Sequence, residues 1–443
     1  MKTFHGGIHP GDRKSATCGK PIVDLEPPSE LVFPVSQHIG APAQPCVQVG
    51  DRVLVGQKIA ERNGFVSANI HSSVSGTVKS IEKRLHPNGL PTMCIIVEND
   101  GLDELCEDVK KGGTNYKDKS AKELIDIIAE AGIVGMGGAT FPTHVKLSVP
   151  DEAKIDYVII NGAECEPYLT SDHRTMLENS DEVIGGLKIL MHIFNLKDGY
   201  IGIESNKPDA IQLMRKKAED EKDVNIHIIP LKTKYPQGAE KQLIYAITKR
   251  TMKSGTLPWQ SGCIVDNIDT CACIFRAVEK GMPVTSRVVT LCGDILNNPM
   301  NYRVRLGTQF WYIIEKSGGV KEDIGKVLMG GPMMGTAVSN TNASVIKGTS
   351  GILLMGKEEA VMDEEMPCLR CAKCVYVCPM KLQPNLLDLE ARRNNIEALK
   401  ELGVNDCIEC GSCAFVCPSK RRQVQQIKVA KVKVRDYVKR IES

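Results

Sequence analysis

Two cysteine runs near the C-terminus carry the most specific chemistry in the sequence. Cys368-Leu-Arg-Cys371-Ala-Lys-Cys374-Val-Tyr-Val-Cys378-Pro379 has the spacing C-x2-C-x2-C-x3-C-P, and Cys407-Ile-Glu-Cys410-Gly-Ser-Cys413-Ala-Phe-Val-Cys417-Pro418 repeats it 39 residues later. Three thiolates two residues apart can wrap three irons of one 4Fe–4S cubane, while the fourth, after a longer gap and before a helix-breaking proline, turns to the other cluster. The spacing therefore predicts one cluster on Cys368, Cys371, Cys374 and Cys417, and a second on Cys407, Cys410, Cys413 and Cys378. A pair of zinc ribbons is the alternative, but such sites take four ligands from two knuckles and need no fourth cysteine before a proline. The other nine of the 17 cysteines show no comparable spacing and read mostly as buried reduced thiols.

A second signal is the loop Gly132-Ile-Val-Gly135-Met-Gly137-Gly138-Ala-Thr-Phe141-Pro142-Thr-His-Val-Lys146. Glycines let the backbone approach a planar or phosphorylated ligand, helix N-terminal amides favour phosphate, and Lys146 supplies a point charge. The spacing is not Walker, and no strand precedes it as the dinucleotide fingerprint requires, so taken alone it is equally well a tight turn. Phe141 reads either as a platform for a ring or as core. His144 reads as a solvated loop side chain.

These groups need elements to position them. Residues 1–112 read as a β-rich domain, in which Val47–Ile59 and Val74–Ile81 alternate in hydropathy around glycine turns. From residue 113 to 284 the grammar is α/β. A helix from Ala121 stops at Gly132, a buried strand covers Asp156–Ile160, and helices near 181–194 and 208–222 alternate with strands at 200–203 and 225–230. That alternation predicts a mostly parallel sheet with its ligand at the strand C-termini. Residues 285–355 return to short strands, 356–426 form a helical cysteine module, and 427–443 form a basic amphipathic tail. Its stripe of Ile427, Ala430, Val434, Tyr437, Val438 and Ile441 suits a partner subunit or the chain's own core better than a membrane surface.

Composition closes off several classes. Lys+Arg 56 against Asp+Glu 54 offers no bulk field for nucleic acid, and aromatic residues at 5% make base-stacking platforms a poor reading. An odd number of cysteines in a long chain without a hydrophobic leader argues against a disulfide framework. No run approaches the roughly 20 apolar residues of a membrane span. Residues 366–443 hold 15 Lys/Arg against 8 Asp/Glu, a local excess of +7 that reads first as a solvated face.

Several stretches resemble known families. Val47–Ile81 is similar to the barrel-sandwich fold of biotinyl and lipoyl carriers, but Asn63–His71, where a carrier lysine would stand, has none, so a structural role is expected. Gly135-Met-Gly137-Gly138-Ala-Thr-Phe141-Pro142-Thr-x-x-Lys146 resembles the flavin loop of the FMN- and NADH-binding subunit of respiratory complex I. Asn161-Gly-Ala-Glu164-Cys-Glu166-Pro167, Tyr235-Pro-Gln-Gly238-Ala-Glu240 and Ile264-Val-Asp266-Asn267 resemble, in the same order, that subunit's later motifs. Tyr168 stands where that subunit has Gly, Ala239 replaces an acid and Asp266 an Asn. With the opening Phe4-His-Gly-Gly-Ile-His-Pro10, Gln37-His-Ile-Gly-Ala-Pro42 and the two-cluster tail, the whole chain resembles the C-subunit family of Rnf ion-translocating ferredoxin:NAD oxidoreductases.

The resemblance implies a multidomain α/β chain: barrel-sandwich, Rossmann-like flavin/NADH, soluble-ligand-binding β-grasp and alpha-helical two-cluster ferredoxin domains. It implies non-covalent FMN among Gly135, Gly137, Gly138, Phe141, Lys146, Asn161, Glu164, Glu166, Tyr235, Gly238, Glu240 and Asn267, with NAD(H) as substrate. The implied activity is that of an NADH:ferredoxin-type oxidoreductase subunit, peripheral on the cytoplasmic side of the cell membrane. Its partners would be membrane subunits of the same complex and, indirectly, ferredoxin. A soluble reductase of the cobalamin-reductase type and a non-enzymatic electron-wire scaffold remain the alternatives.

Overall fold

The computed structural model describes residues 1–442 and the side chains of 1–440. Near the N-terminus, Glu30–Pro34, Pro91–Asn99, Gly76–Leu85 and Arg52–Val53 make a four-stranded sheet in that order, and Gln44–Pro45, Lys58–Glu61 and Ile70–His71 a three-stranded one. Leu31 pairs with Val97 and Phe33 with Ile95, and these side chains join Val53, Ile59 and Ile70 in the core between the sheets. The hairpin tip at Asn63–Phe65 is exposed and packs its Phe65 ring edge-on to His144, 5.9 Å away.

Ser120 and Glu123 close a capping box at the start of helix Ala121–Glu130, which buries Leu124, Ile128 and Ala129. Gly132, at φ +66, turns the chain into the glycine loop. The sheet that follows is parallel throughout, with order Asn225–Leu231, Asp198–Glu204, Tyr157–Gly162, Cys263–Asn267. Both faces are covered, as parallel strands require: Val158, Ile160 and Ile201 meet helix Ser180–Ile193, and Ile159 and Leu231 pack with Leu243 and Ile247 of helix Glu240–Thr248. Strand order reverses between Tyr157–Gly162 and Cys263–Asn267, and the carboxyl ends at such a switch point are where open α/β sheets bind ligands.

The third assembly is a six-stranded mixed sheet of Ser286–Cys292, Met300–Arg305, Ile324–Met329, Thr336–Val338, Gly351–Gly356 and, at one edge, Ile22–Asp24. The opening residues thus lie outside the barrel-sandwich sheets. Ile22 pairs with Asn301, Lys2 bridges Leu231 and Ile8 bridges Tyr235, so the first 24 residues run along the other assemblies.

The cysteine module carries helices Lys373–Val377, Pro384–Arg393, Ile396–Glu401, Ser412–Phe415 and Gln423–Glu442. The last passes straight through the expected boundary at 426/427. Ile427, Ala430 and Val434 are buried against Leu387, Leu399 and Val404, so the stripe serves the module's own core. Tyr437 is more exposed, under the Lys400 ammonium, and the Ile441 side chain lies outside the described residues. Among the described residues no helix is long and apolar enough to cross a membrane.

Candidate redox sites

The two cysteine runs repeat in backbone as well as in sequence. Arg370 and Glu409 have φ +54 and +58, Ala372 and Gly411 +60 and +79, and Lys381 and Lys420 +58 and +50, each pair 39 residues apart. Left-handed residues at these points turn the chain around the sulfurs. Arg370 N–H donates to Cys368 Sγ and Glu409 N–H to Cys407 Sγ, both at 3.4 Å, and Leu382 N–H donates to Cys378 Sγ at 3.3 Å. Such donors offset thiolate charge.

The structure brings the eight cysteines together as two quartets. Cys368, Cys371, Cys374 and Cys417 line one cavity, and Cys378, Cys407, Cys410 and Cys413 another. Among the described residues no trio of His, Cys, Asp or Glu converges to hold a single metal ion. The sulfurs instead surround a cavity, which is the arrangement a multi-iron core needs. Leu382, Leu387, Val424 and Ile427 help wall the second cavity. Burial raises Cys378, Cys407 (to about 11) and Cys413, the last also through its neighbouring cysteines, so these three sulfurs need a positive group to ionise together. In the first quartet Cys368 and Cys371 are exposed. The second is therefore the inner quartet and the first the outer.

The glycine loop sits at the carboxyl ends of the parallel strands, where Asn161 and Asn267 are register partners. Asn267 caps helix Ile268–Lys280 through Asp269 N–H, 2.9 Å, and donates its amide to Asp172 at 2.7 Å. Gly137 lies flat on that side chain: a Cβ there would stand 2.6 Å from Asn267 Nδ2. Met136 N–H donates to Thr270 at 3.0 Å, and Gly135 N–H to Phe141 O at 2.8 Å, which closes the loop. Gly137, Gly138 and Ala139 remain exposed, and a Cβ on Gly138 would meet nothing within 4 Å. The fold itself does not require a glycine at 138, which leaves exposed, unobstructed backbone there. Phe141 is half-buried at the loop's end, outside the cores.

Asn161 donates to Gly238 O at 2.7 Å, joining the first strand to the segment that leads into helix Glu240–Thr248. Lys146 donates to Val265 O at 2.6 Å and pairs with Asp266 at 3.2 Å and Glu240 at 4.0 Å. Burial disfavours its charge, but Asp266 and Glu240 outweigh burial and hold the ammonium protonated. Its charge is thus already engaged within the chain. The Asp266 that replaces an Asn is the partner that engages it.

Glu164 and Glu166 fall on backbone donors. Glu164 accepts Asp172 N–H at 2.7 Å and faces Lys14 at 3.7 Å, and Glu166 accepts Met333 and Met334 N–H at 3.1 and 2.8 Å. Burial lifts Glu166 to about 6 and, with Glu164 and Asp269, Asp172 to about 7. Tyr235, 1% exposed, donates its phenol to Cys410 O at 2.7 Å and so reaches the inner quartet directly. Burial, reinforced by Glu166, raises its pKa and keeps that donor protonated.

His144 is a correction to the sequence reading. It is buried rather than solvated, with Nε2 3.0 Å from Phe65 O, and burial lowers its pKa. Five of the nine remaining cysteines are buried, as expected, while Cys46 is exposed. Sequence reasoning missed Lys14, Asp172 and Arg287. Lys14 sits inside the 164–169 loop, donating to the carbonyls of Glu164 at 2.9 Å, Glu166 at 3.0 Å and Leu169. Arg287 donates to Met136 O at 3.1 Å and pairs with Asp269 at 3.1 Å. Neither carries a spacing signal, because each acts on a distant segment. Tyr168 keeps a left-handed φ of +70, held by its N–H on Asp12 O at 2.8 Å, so the turn suits the glycine found in complex I yet is kept here by the N-terminal segment.

A parallel α/β sheet with an exposed glycine loop, hydrogen-bonded through Tyr235 to the inner of two cysteine quartets, defines an iron–sulfur electron-transfer protein with a second cofactor site. Comparison with known families agrees. The Nuo51 FMN-binding domain matches residues 128–276, the RnfC barrel sandwich hybrid domain 2–102, the SLBB domain 288–337 and the 4Fe-4S dicluster domain 357–421. The C subunit of the proton-translocating ferredoxin:NAD(+) oxidoreductase complex of Clostridium ljungdahlii is 49% identical, over 97% of this chain and 94% of its own. The C subunit of the Na(+)-translocating complex of Acetobacterium woodii is 46% identical, over 97% and 96%. This chain belongs to that family, the C subunits of Rnf-type ion-translocating oxidoreductase complexes. Among solved structures, a chain of an air-oxidized NAD+-reducing NiFe-hydrogenase matches with a TM-score of 0.51 at 14% identity, covering 74% of this chain and 66% of that one, a likeness of fold.

Proposed function

We propose that this chain is the peripheral subunit through which a membrane-bound, ion-translocating complex exchanges electrons between NAD(H), FMN and two 4Fe–4S clusters. Its partners are the membrane subunits of the same complex and, through them, ferredoxin, and it lies on the cytoplasmic face. The α/β domain is read as Rossmann-like, with FMN against Gly135, Gly137, Gly138 and Asn267 at the carboxyl edge. When bound, FMN converts hydride chemistry into single-electron steps, and each cluster carries one electron. The chain's own residues do the positioning. Asn267 and Thr270 fix the loop, Lys146 with Asp266 and Glu240 fix the strand ends, and Lys14 holds the 164–169 turn between the loop and the third domain. Glu164 and Glu166 act as structural and electrostatic braces rather than proton carriers, because their oxygens are engaged by backbone N–H groups.

The observation that carries this reading is the Tyr235–Cys410 hydrogen bond, through which the segment that Asn161 holds at the carboxyl edge of the sheet also contacts a cysteine of the inner quartet. The test uses the full chain, reconstituted anaerobically with iron, sulfide and FMN and titrated with NADH. Flavin bleaching accompanied by partial cluster reduction in EPR is the expected result. Loaded clusters with no retained or bleached flavin would leave only the electron-wire role.

A further inference from the structure

The opening motif Phe4-His-Gly-Gly-Ile-His-Pro10 holds neither redox group in the reading above, yet it runs along the seam between them. Gly7 N–H donates to Val377 O at 2.7 Å, Ile8 N–H to Tyr235 O at 2.8 Å, and Tyr235 N–H returns to Ile8 O at 2.9 Å. Gly6 and Gly7 have φ +75 and +80. A Cβ on Gly6 would stand 2.7 Å from Cys378 O, and one on Gly7 2.6 Å from Tyr235 O. Only glycine meets both demands, conformation and clearance. The strap is thus pressed between the backbone of a cluster cysteine and the backbone of Tyr235.

From the other side, the Tyr235 phenol reaches Cys410 O, and Ile8, Tyr235 and Cys410 share one apolar cluster with Cys165 and Met333. Two of the four inner cysteines, Cys378 and Cys410, are therefore held from the flavin side. We infer that Tyr235, locked by the Gly6–Ile8 strap, is a positioning residue for the inner cluster, and that its O–H dipole favours the cluster's reduced state. The inference rests on reading Cys378, Cys407, Cys410 and Cys413 as cluster ligands. Reduction adds one negative charge to the cluster. A buried donor aimed at a ligand's peptide stabilises that charge with little competition from water. Hydrogen bonding and burial are among the levers that set cluster potentials.

The test is an EPR-monitored redox titration of the full chain reconstituted with iron and sulfide, with a Cys368→Ser variant to assign the outer signal. Tyr235→Phe is expected to retain its iron and to lower the midpoint of the inner cluster alone. Site-specific fluorotyrosine at 235, a stronger donor of nearly the same size, is expected to raise it, and it supplies the measurement should the Phe variant fail to load. Unchanged midpoints in both variants, or equal shifts of both clusters, would overturn the inference. Failure of the ligand reading is separately visible, as a wild-type chain that does not load two clusters.

Discussion

Cys378 and Cys417 each end one cysteine run and line the cavity of the other, so single substitutions can distinguish crossed from uncrossed ligation. Cys417→Ala is expected to remove the outer cluster although Cys368, Cys371 and Cys374 are intact, with iron falling from about eight to about four per chain. The EPR signal that survives would then be the one sensitive to Cys407→Ser; survival of the other signal would mean uncrossed ligation. Gly138 offers a second test, because its Cβ direction is open and its φ is not left-handed. Gly138→Val should change stability by less than about 0.5 kcal/mol, yet weaken FMN retention by roughly tenfold or more, about 1.4 kcal/mol. FMN fluorescence on dilution measures the second quantity and a urea melt the first. Equal losses in both would assign Gly138 to the fold instead. Around the glycine loop, residue types were legible in the sequence, but their partners were not. Lys146 reads as a phosphate ligand by type, and only the structure shows Asp266 and Val265 engaging it.

Elements were legible wherever the signal is local. The helix from Ser120 to Gly132 and the parallel strands follow caps, glycines and periodicity. The C-terminal helix shows the limit of that logic. An apolar stripe records that a face is covered, not by what, and here Leu387, Leu399 and Val404 of the same module cover it. Val434→Asp should therefore destabilise the cysteine module by about 3 kcal/mol or more, since a carboxylate would be buried without a partner. Loss of iron on reconstitution is the readout. Val429→Asp, on the 53% exposed face, should change stability by under about 0.5 kcal/mol. A helix whose stripe served a membrane would show the reverse insensitivity, with iron retained in both.

At the scale of the molecule, the assemblies are joined by buried polar groups. Lys347, fully buried, donates its ammonium to Asn69 O and, at 2.6 Å, to Gly132 O, while its backbone N–H donates to Gln37 Oε1 at 3.1 Å. One ammonium so ties the barrel-sandwich domain, the start of the glycine loop and the third domain, and burial brings its pKa down to about 7. His71 lies beside it, and burial first, then Lys347, lowers its pKa to about 3. A folded value of about 3, below the unfolded value of about 6.5, means that the neutral ring's contribution is intact above pH 6.5 and lost as the pH falls toward 3. Thermal midpoints should therefore decline with acid from pH 6.5 downward, and His71→Gln should flatten that decline by one proton's worth of slope. Parallel curves for the two proteins would show that His71 titrates normally in the fold.

The sequence by itself determined the chemistry that depends on local spacing. Two cysteine runs with a proline-ended fourth ligand specify iron–sulfur binding, because that geometry spans only a few residues. Only the tertiary structure decided what depends on distant segments meeting. Lys14 acts on a loop 150 residues away and Lys347 on a carbonyl 278 residues away. Tyr235 reaches Cys410 across 175 residues. No periodicity encodes such contacts. They form because burying a polar group without a partner is costly, so the packed assemblies must satisfy each one wherever along the chain its partner lies.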